Sequence, residues 1–461
     1  MPRKRGRKGR RRAPPAVNFV SLGCAKNTVD TERMLASLVE AGFLIAARPE
    51  DADAVVVNTC GFIAPARAES LEVLAEFAAL RRSGALGALV AVGCAVTRMG
   101  EALRAEVPEL DAALGLDRLR ELPAVLAGVL GAETAQTGQT APAGEFDSGA
   151  RLPTGPPGSA YLKISEGCDN RCAYCTIPDI RGPLRSRRAD DLVAEAHGLA
   201  GCGVVELNII AQDVAAYGMD LGPEGKGALP KLLGRLCRVD GIEWIRLLYA
   251  HPGHVDGALV ALMAAESKIC PYLDLPIQHI DDMMLMRMGR GGDRAGEGIR
   301  RLVSELRGQI PDIAIRTTVM VGFPGETAEA HGKLVEFIAE GHFAHLGVFC
   351  YSPEEGTRAA EATPRVDAET ALRRAEEVAG AQMAVVRARL DGLAGRELDV
   401  IVESRTEQGG IWRARTAWDA PEVDSAVMLS GEGLVAGTIV RAAVTGAEGY
   451  DLRAALVGDR G

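Results

Sequence analysis

Two runs of alternating strand-like and helix-like segments fill the chain from Val17 to Leu390, and residues 131–158, rich in Gly, Pro, Thr and Ala and without periodicity, separate them. Alternation of this kind implies parallel sheets with crossover helices, so it sets the fold class as α/β. In the first run Val17–Leu22, Ala54–Val57 and Leu89–Val92 read as strands, and Thr28–Ala41 and Pro65–Leu80 as helices. The second run offers six strands: Tyr161–Ser165, Val204–Ala211, Trp244–Tyr249, Tyr272–Pro276, Ala314–Val321 and His345–Tyr351. Helical stretches such as Ala189–Ala200, Ala258–Ala265, Gly298–Arg307 and Ala328–Glu340 lie between them, and Ala368–Leu390 reads as one long closing helix. Six βα units predict a partial (β/α)6 barrel, because a closed barrel of this type takes eight. From residue 394 onward the pattern shortens to five strand-like segments in about 65 residues, which fits a small OB-like all-β barrel. The expected organisation is therefore a tail (1–14), a Rossmann-like domain (15–130), a linker (131–158), a partial barrel (159–393) and a small β-barrel (394–457).

Charge is uneven along the chain. The formal net charge is −10, and the first twelve residues, MPRKRGRKGRRR, carry eight Lys or Arg, which leaves the remainder at −18. An acidic body repels a nucleic-acid backbone over most of its surface. The basic tail reads as a disordered, solvated arm, and its functional alternative is a weak electrostatic tether to ribosomal RNA. Behind it lies no apolar region and no cleavage-site pattern, and the longest uncharged apolar stretch, Ser83 to Thr97, is too short and too rich in Gly to span a bilayer. A cytoplasmic protein without a membrane partner is the expectation.

Ten cysteines in a chain without an export signal point to metal or cluster ligands before disulfides. Cys168, Cys172 and Cys175 fall within eight residues, in Ser165-Glu166-Gly167-Cys168-Asp169-Asn170-Arg171-Cys172-Ala173-Tyr174-Cys175. Three thiolates at this spacing can grip one face of a [4Fe-4S] cube and leave the fourth iron free to bind a ligand. The loop follows the first strand of the second series, and chemistry in such folds sits at the carboxyl ends of strands. A zinc site would want a fourth Cys or His nearby, and the nearest is His197 on an expected helix. Cys24, Cys60 and Cys94 are spaced by 36 and 34 residues, one βα unit each, and each stands just past an expected strand. The carboxyl ends of such strands converge, so three distant thiols should meet and could hold a second cluster with an open iron. Gly23, Gly61 and Gly93 beside them leave room near the backbone. The competing reading for these three is buried apolar cysteine. Cys202, Cys237, Cys270 and Cys350 lack mutual spacing and read as core residues.

The cysteine loop, with an aromatic before its last Cys, resembles that of the radical S-adenosylmethionine (SAM) superfamily. Preceded by a three-Cys Rossmann-like domain and followed by a small β-barrel, the chain resembles the radical SAM methylthiotransferases from about Val17 to Val457. The resemblance rests on Ser21-Leu22-Gly23-Cys24-Ala25-Lys26-Asn27, Asn58-Thr59-Cys60-Gly61-Phe62-Ile63 and Arg181-Gly182-Pro183-Leu184-Arg185-Ser186-Arg187. It also rests on Asp274-Leu275-Pro276-Ile277-Gln278-His279 and Val321-Gly322-Phe323-Pro324-Gly325-Glu326-Thr327. It implies that the last domain is a TRAM domain, and that the cofactors are two [4Fe-4S] clusters and SAM. The implied activity is insertion of a methylthio group at an unactivated C–H bond, consuming two SAM per product. One SAM methylates a sulfur held by the N-terminal cluster, and the other supplies the hydrogen-abstracting radical.

The family has at least two substrate classes. RimO-type enzymes modify the β-carbon of an aspartate in ribosomal protein S-twelve, and MiaB-type enzymes modify an adenine beside the anticodon of tRNA. Residues 394–461 carry seven Lys or Arg against eleven Asp or Glu. An acidic barrel suits a basic ribosomal protein and not a tRNA backbone. Asp419-Ala420-Pro421-Glu422-Val423-Asp424 and Tyr351-Ser352-Pro353-Glu354-Glu355-Gly356-Thr357 also resemble the RimO pattern, although Ser425 stands where the family usually has Gly. The resemblance further implies an electron donor such as flavodoxin or ferredoxin. Tyr174 is expected beside the SAM cluster, and Glu206, Arg246, Gln278, Arg316 and the turn at Gly322 are expected in the SAM pocket. For Glu206 and Arg246 an ion pair inside the barrel is the competing reading, and His279 is either structural or in contact with substrate. A non-catalytic metal- or RNA-binding module is the reading from a different class.

Overall fold

The computed structural model describes residues 14–132, 150–407 and 409–458. Most of the expected tail and residues 133–149 of the expected linker lie outside these. Contacts divide the chain into two compact units, with the boundary between Pro153 and Thr154.

In the first unit, β1 (Ala16–Ser21), β2 (Leu44–Ile45), β3 (Ala54–Thr59), β4 (Ala88–Gly93) and β5 (Ala112–Leu114) form a parallel sheet in the order β2-β1-β3-β4-β5. Every residue of β3 and β4 is buried. Period-two alternation sends Val56, Val90 and Val92 to one core and Val55, Val57, Leu89 and Ala91 to another on the opposite face. This explains the unbroken apolar runs of the central strands. The helix expected at Thr28–Ala41 spans Ala25–Glu40, and that expected at Pro65–Leu80 spans Ala64–Ser83, closed by Gly84 in the left-handed conformation.

The second unit opens with β6 (Ser159–Lys163), followed by a two-stranded antiparallel ribbon, β7 (Ser165–Glu166) with β8 (Arg185–Ser186). Then come β9 (Glu206–Ile210), β10 (Trp244–Leu247), β11 (Ile269–Asp274), β12 (Ala314–Val321) and β13 (His345–Cys350). The six main strands are parallel in the order β13-β12-β11-β10-β9-β6, a curved open sheet in which β6 and β13 are the edges. Leu162, Leu207, Ile209, Ile245, Leu247, Leu273 and Ile315 point outward into the helix layer. Alternation therefore sends Lys163, Glu206, Asn208, Arg246, Tyr272 and Asp274 inward, where all are buried in a polar lumen.

The long helix Ala368–Asp391 is capped by the Asp367 carboxylate, which accepts from the Thr370 N–H at 2.8 Å. It leads into β14 (Glu397–Arg405), β15 (Ile411–Thr416), β16 (Val427–Ser430), β17 (Ile439–Glu448) and β18 (Asp451–Leu456), which close as a barrel in the order β14-β15-β16-β18-β17. Val400, Val402, Ala414, Leu429, Ala442 and Ala454 fill it. The barrel joins the six-stranded sheet in one compact unit through buried charges. Arg415 donates to both Glu206 oxygens, at 2.6 and 3.1 Å, and Arg246 donates to the Ala417 carbonyl at 2.7 Å. Tyr272 donates to Asp424 at 2.8 Å, and Arg316 pairs with the other Asp424 oxygen. Among the described residues no helix is long and apolar enough to cross a membrane.

The other four cysteines divide. Cys237 and Cys270 are buried as expected, but Cys202 and Cys350 are exposed, which corrects their reading as core residues. Cys202 follows the last turn of the helix Ala189–Gly201, and Cys350 is the last residue of the edge strand β13, whose final two positions are exposed.

Candidate functional site: two cysteine triplets at strand ends

The cysteine loop leaves the carboxyl end of β6 and is pinched at its base by the β7–β8 ribbon. Gly167 has φ +77°, and a Cβ there would fall 2.0 Å from the Pro183 carbonyl oxygen. Only glycine lets the two arms of the ribbon approach this closely. Gly167→Ala adds about 1–3 kcal/mol of backbone strain before the clash is counted. It is expected to lower iron retention severely after anaerobic reconstitution, measured as iron per chain, with little change in circular dichroism.

Inside the loop, Cys168 N–H donates to the Gly182 carbonyl at 3.1 Å, and Cys175 N–H to the Cys172 carbonyl at 3.2 Å. Ile177 N–H points at Cys175 Sγ, 3.5 Å away. Two outside segments hold the loop: Ala173 N–H donates to Met288 O at 2.8 Å, and Ala359 N–H to Ala173 O at 2.9 Å. Arg290 donates to Cys172 Sγ at 3.7 Å, to the Tyr174 hydroxyl at 3.4 Å and to the Pro276 carbonyl at 2.6 Å. Burial pushes the Cys168 thiol up to about 11 and the Cys175 thiol up to about 12. Such sulfurs stay protonated at neutral pH on their own, and a bound metal centre is what turns them into thiolates. The donor set therefore fits an iron–sulfur cluster.

Two carboxylates brace the loop. Burial alone would raise Glu166, but Arg181 and Lys163 override it and hold the carboxyl far below the usual range. Its oxygens accept from Lys163 at 2.8 Å, Arg181 at 2.9 Å and Gln212 at 2.9 Å. Asp213, just past β9, accepts from Asn170 at 2.8 Å, from the N–H groups of His251 and Ala215 at 3.0 and 3.2 Å, and bonds His254 Nδ1 at 2.6 Å. Asp213, His251 and His254 have metal-ligand chemistry, with ligand atoms within 4.8 Å of one another. With four partners on the carboxylate already, the group works as a brace between the cysteine loop and the ends of β9 and β10. Gln212 Oε1 is a buried acceptor without a donor, placed at the carboxyl end of β9, where a bound cofactor can supply one.

The expected pocket residues separate into two groups. Tyr174, Gln278 and Gly322 lie at the end of the sheet that carries the cysteine loop. Tyr174 meets Phe323 edge to face at 6.5 Å. Gln278 follows β11 with φ +66° and bridges to Val319, and Gly322 follows β12 with φ +73°. Glu206, Arg246 and Arg316 do not join them, which corrects their assignment to the SAM pocket. Glu206 is the first residue of β9, in register with Ser159 at the start of β6. At about 3.3 Å per residue it lies roughly 20 Å along the strand from Gln212. Glu206 and Arg246 are wholly buried and paired at 2.9 Å, and Arg316 is engaged by Asp424. His279 is structural, because it is fully buried between Glu326 and the Asp281 N–H.

In the first unit Cys24, Cys60 and Cys94 follow β1, β3 and β4, which are adjacent strands. A Cβ on Gly23 would fall 3.1 Å from Cys60 Sγ, and one on Gly61 2.7 Å from Cys94 O, so the three turns are in contact. Asn27 joins them: its amide donates to the Leu22 and Thr59 carbonyls at 2.9 and 3.1 Å, and its oxygen faces Cys94 Sγ at 3.6 Å. Asn58 holds the Asn27 carbonyl at 2.9 Å, and Ser70 receives the Cys60 N–H at 3.0 Å. Three soft sulfur donors at one edge fit a cluster in the same way.

Three families match the chain in order: "Uncharacterized protein family UPF0004" over residues 16–115, the radical SAM superfamily over 162–338 and the TRAM domain over 394–457. The ribosomal protein uS12 methylthiotransferase RimO of Syntrophomonas wolfei is 41% identical over 437 residues, covering 95% of this chain and 98% of that protein. The chain belongs to the RimO methylthiotransferase family. The RimO protein of Anaeromyxobacter sp. (strain Fw109-5) is 43% identical, covering 95% of this chain and 93% of its own length. Membership makes the protein a radical SAM enzyme with an iron–sulfur cluster and SAM as cofactors. Among solved structures, the radical SAM methyltransferase TsrM of Kitasatospora setae matches in fold, with a TM-score of 0.52, 17% identity, and 75% of this chain and 77% of that one covered.

Proposed function

We propose that the protein inserts a methylthio group at the β-carbon of an aspartate in ribosomal protein uS12. It would use two [4Fe-4S] clusters, one on Cys168, Cys172 and Cys175 and the other on Cys24, Cys60 and Cys94, and two molecules of SAM. The observation that supports this most is the pair of separate cysteine triplets, each at the carboxyl ends of parallel strands, in a chain over 40% identical to RimO proteins along almost its whole length. When bound, the cluster of the second unit supplies an electron that cleaves SAM to a hydrogen-abstracting radical, and that of the first unit holds the sulfur to be methylated and delivered.

The chain's own residues do the rest. The ribbon and Gly167 fix the base of the loop whose Cys168, Cys172 and Cys175 would hold the cluster. Arg290 places a positive charge against Cys172 and orients the Tyr174 ring. Glu166 and Asp213 keep the loop rigid from two sides. Gln212, Gln278 and the Gly322 turn, just past the carboxyl ends of β9, β11 and β12, would bind and orient SAM. The reaction belongs in the cytoplasm, with the ribosomal protein. Mass spectrometry of uS12 and tRNA from a deletion strain tests the reading. The methylthio mark should vanish from uS12 and persist on tRNA, whereas its loss from tRNA with uS12 still modified would establish the MiaB-type activity instead.

A further inference from the structure

The outer side of the cysteine loop carries a cluster of arginines that the reaction itself does not use. Arg358 donates to the Arg171 carbonyl. A Cβ on Gly289 would lie 3.0 Å from both of these groups. Arg287, two residues earlier, reaches the Thr363 carbonyl at 3.4 Å, and Arg365 bonds Ala360 O at 2.8 Å. All four residues are exposed, and the bonds to Arg171, Thr363 and Ala360 place them on three neighbouring segments. None has a carboxylate partner among the described residues. Glu355 and Glu361, on the same segment, pair with none of them. This is unusual in a chain with 62 Asp and Glu against 52 Lys and Arg. Within the rim, Met283 and Met286 stand 52% and 44% exposed, and Met283 shares a helical face with Arg287. Below lie Met288 and Ala173, whose backbones are bonded directly. Arg171 immediately precedes Cys172, so the rim lies against a cluster ligand.

We propose that this face, Met283 and Met286 rimmed by Arg171, Arg287, Arg358 and Arg365, docks an acidic one-electron carrier protein that reduces the cluster on Cys168, Cys172 and Cys175. The inference rests on the proposed reading that these cysteines hold a reducible cluster. One electron leaves the carrier's reduced flavin or iron–sulfur group, which is oxidised by one electron, and arrives at the cluster, which is reduced by one. No bond forms or breaks in the transfer, and no proton is required. An arginine and methionine surface is typical of protein interfaces, and the positive rim selects a negative partner from the pool of soluble proteins.

The test compares two reductants on the iron-loaded full-length enzyme, with 5′-deoxyadenosine formation as the readout. With reduced flavodoxin, and separately with reduced ferredoxin, Arg287→Glu/Arg365→Glu is expected to lose at least about tenfold in rate at low salt, in line with electrostatically steered association. With dithionite the same variant should stay within about twofold of the wild type. The wild-type, carrier-driven rate should also fall steeply with ionic strength while the dithionite rate does not, a measurement that needs no variant. Equal carrier-driven rates for variant and wild type, or a carrier-driven rate insensitive to salt, would overturn the docking face. So would a variant that loses ribosomal RNA binding and keeps its carrier-driven rate. Failure of dithionite to drive any SAM cleavage in the wild type would instead strike the cluster reading itself.

Discussion

Cys60→Ala is expected to keep cleaving SAM while forming no methylthiolated product, and Cys172→Ala to do neither. The two residues sit in different compact units, at the ends of different sheets. Each triplet has three sulfurs, so removal of one leaves two and should strip that site alone. Iron should fall from about eight to about four atoms per chain in either variant. Reductive SAM cleavage, read as 5′-deoxyadenosine, depends on the loop cluster and should remain near the wild-type rate in Cys60→Ala. Product, read by the mass of the modified uS12 peptide, should drop below detection in both. A Cys60→Ala enzyme that still made product would remove the sulfur-holding role from the first triplet. One that lost SAM cleavage as well would show that the two sites are not separable.

The cysteines were legible in the sequence because both signals are local. One is a spacing within eight residues, and the other is a thiol after each of three strands whose parallel pairing follows from their alternation with helices. The strands themselves were legible where burial on both faces leaves an unbroken apolar run, as in Ala54–Val57. β2 was not, since Leu44 and Ile45 are both exposed and two residues carry no periodicity. β5 is mostly buried but only three residues long, too short to show a period. The error over Glu206, Arg246 and Arg316 has a different origin. A charged residue in a buried strand does signal a polar lumen, but the sequence does not say which end of the lumen it faces. The answer lies in Arg415, 209 residues beyond Glu206. Asn27 and Asp213 were missed as working residues because their partners, Thr59 and Cys94 for one and Asn170 and His254 for the other, come together only through the fold. Asn27 does stand three residues after Cys24, and Asp213 stands just past a strand, which are the only signals the chain offers for them.

The second large effect is expected at that distant arginine. Arg415→Met should destabilise the second unit by about 3–5 kcal/mol, the range found when one partner of a buried ion pair is removed. Arg415 is wholly buried between two carboxylates, donating to Glu206 at 2.6 Å and to Glu403 at 2.5 Å. Without it, Glu206 keeps Arg246 and the Ser159 hydroxyl, at 2.9 and 2.7 Å, but Glu403 retains only the half-exposed Arg413, at 3.3 Å. The four charges form one network in which Arg415 bridges Glu206 and Glu403, and its loss leaves Glu206 paired with Arg246 but Glu403 without its closest cation. Arg415→Met/Glu403→Gln removes one pair whole and should be more stable than Arg415→Met alone, a non-additivity readable by denaturant unfolding. The pH dependence gives a second readout. Burial would raise Glu206, but Arg415 and Arg246 hold its carboxyl well below the ordinary range, so the folded form resists protonation. Its contribution is complete above the unfolded value of about 4.5 and drains away as the pH falls below it. Loss of Arg415 brings the folded value back toward the unfolded one. The variant should therefore be less stable than the wild type at neutral pH, with the gap narrowing as the pH drops below about 4.5. A gap that stayed constant down to the acid transition would mean that Arg415 acts by filling space and not by its charge.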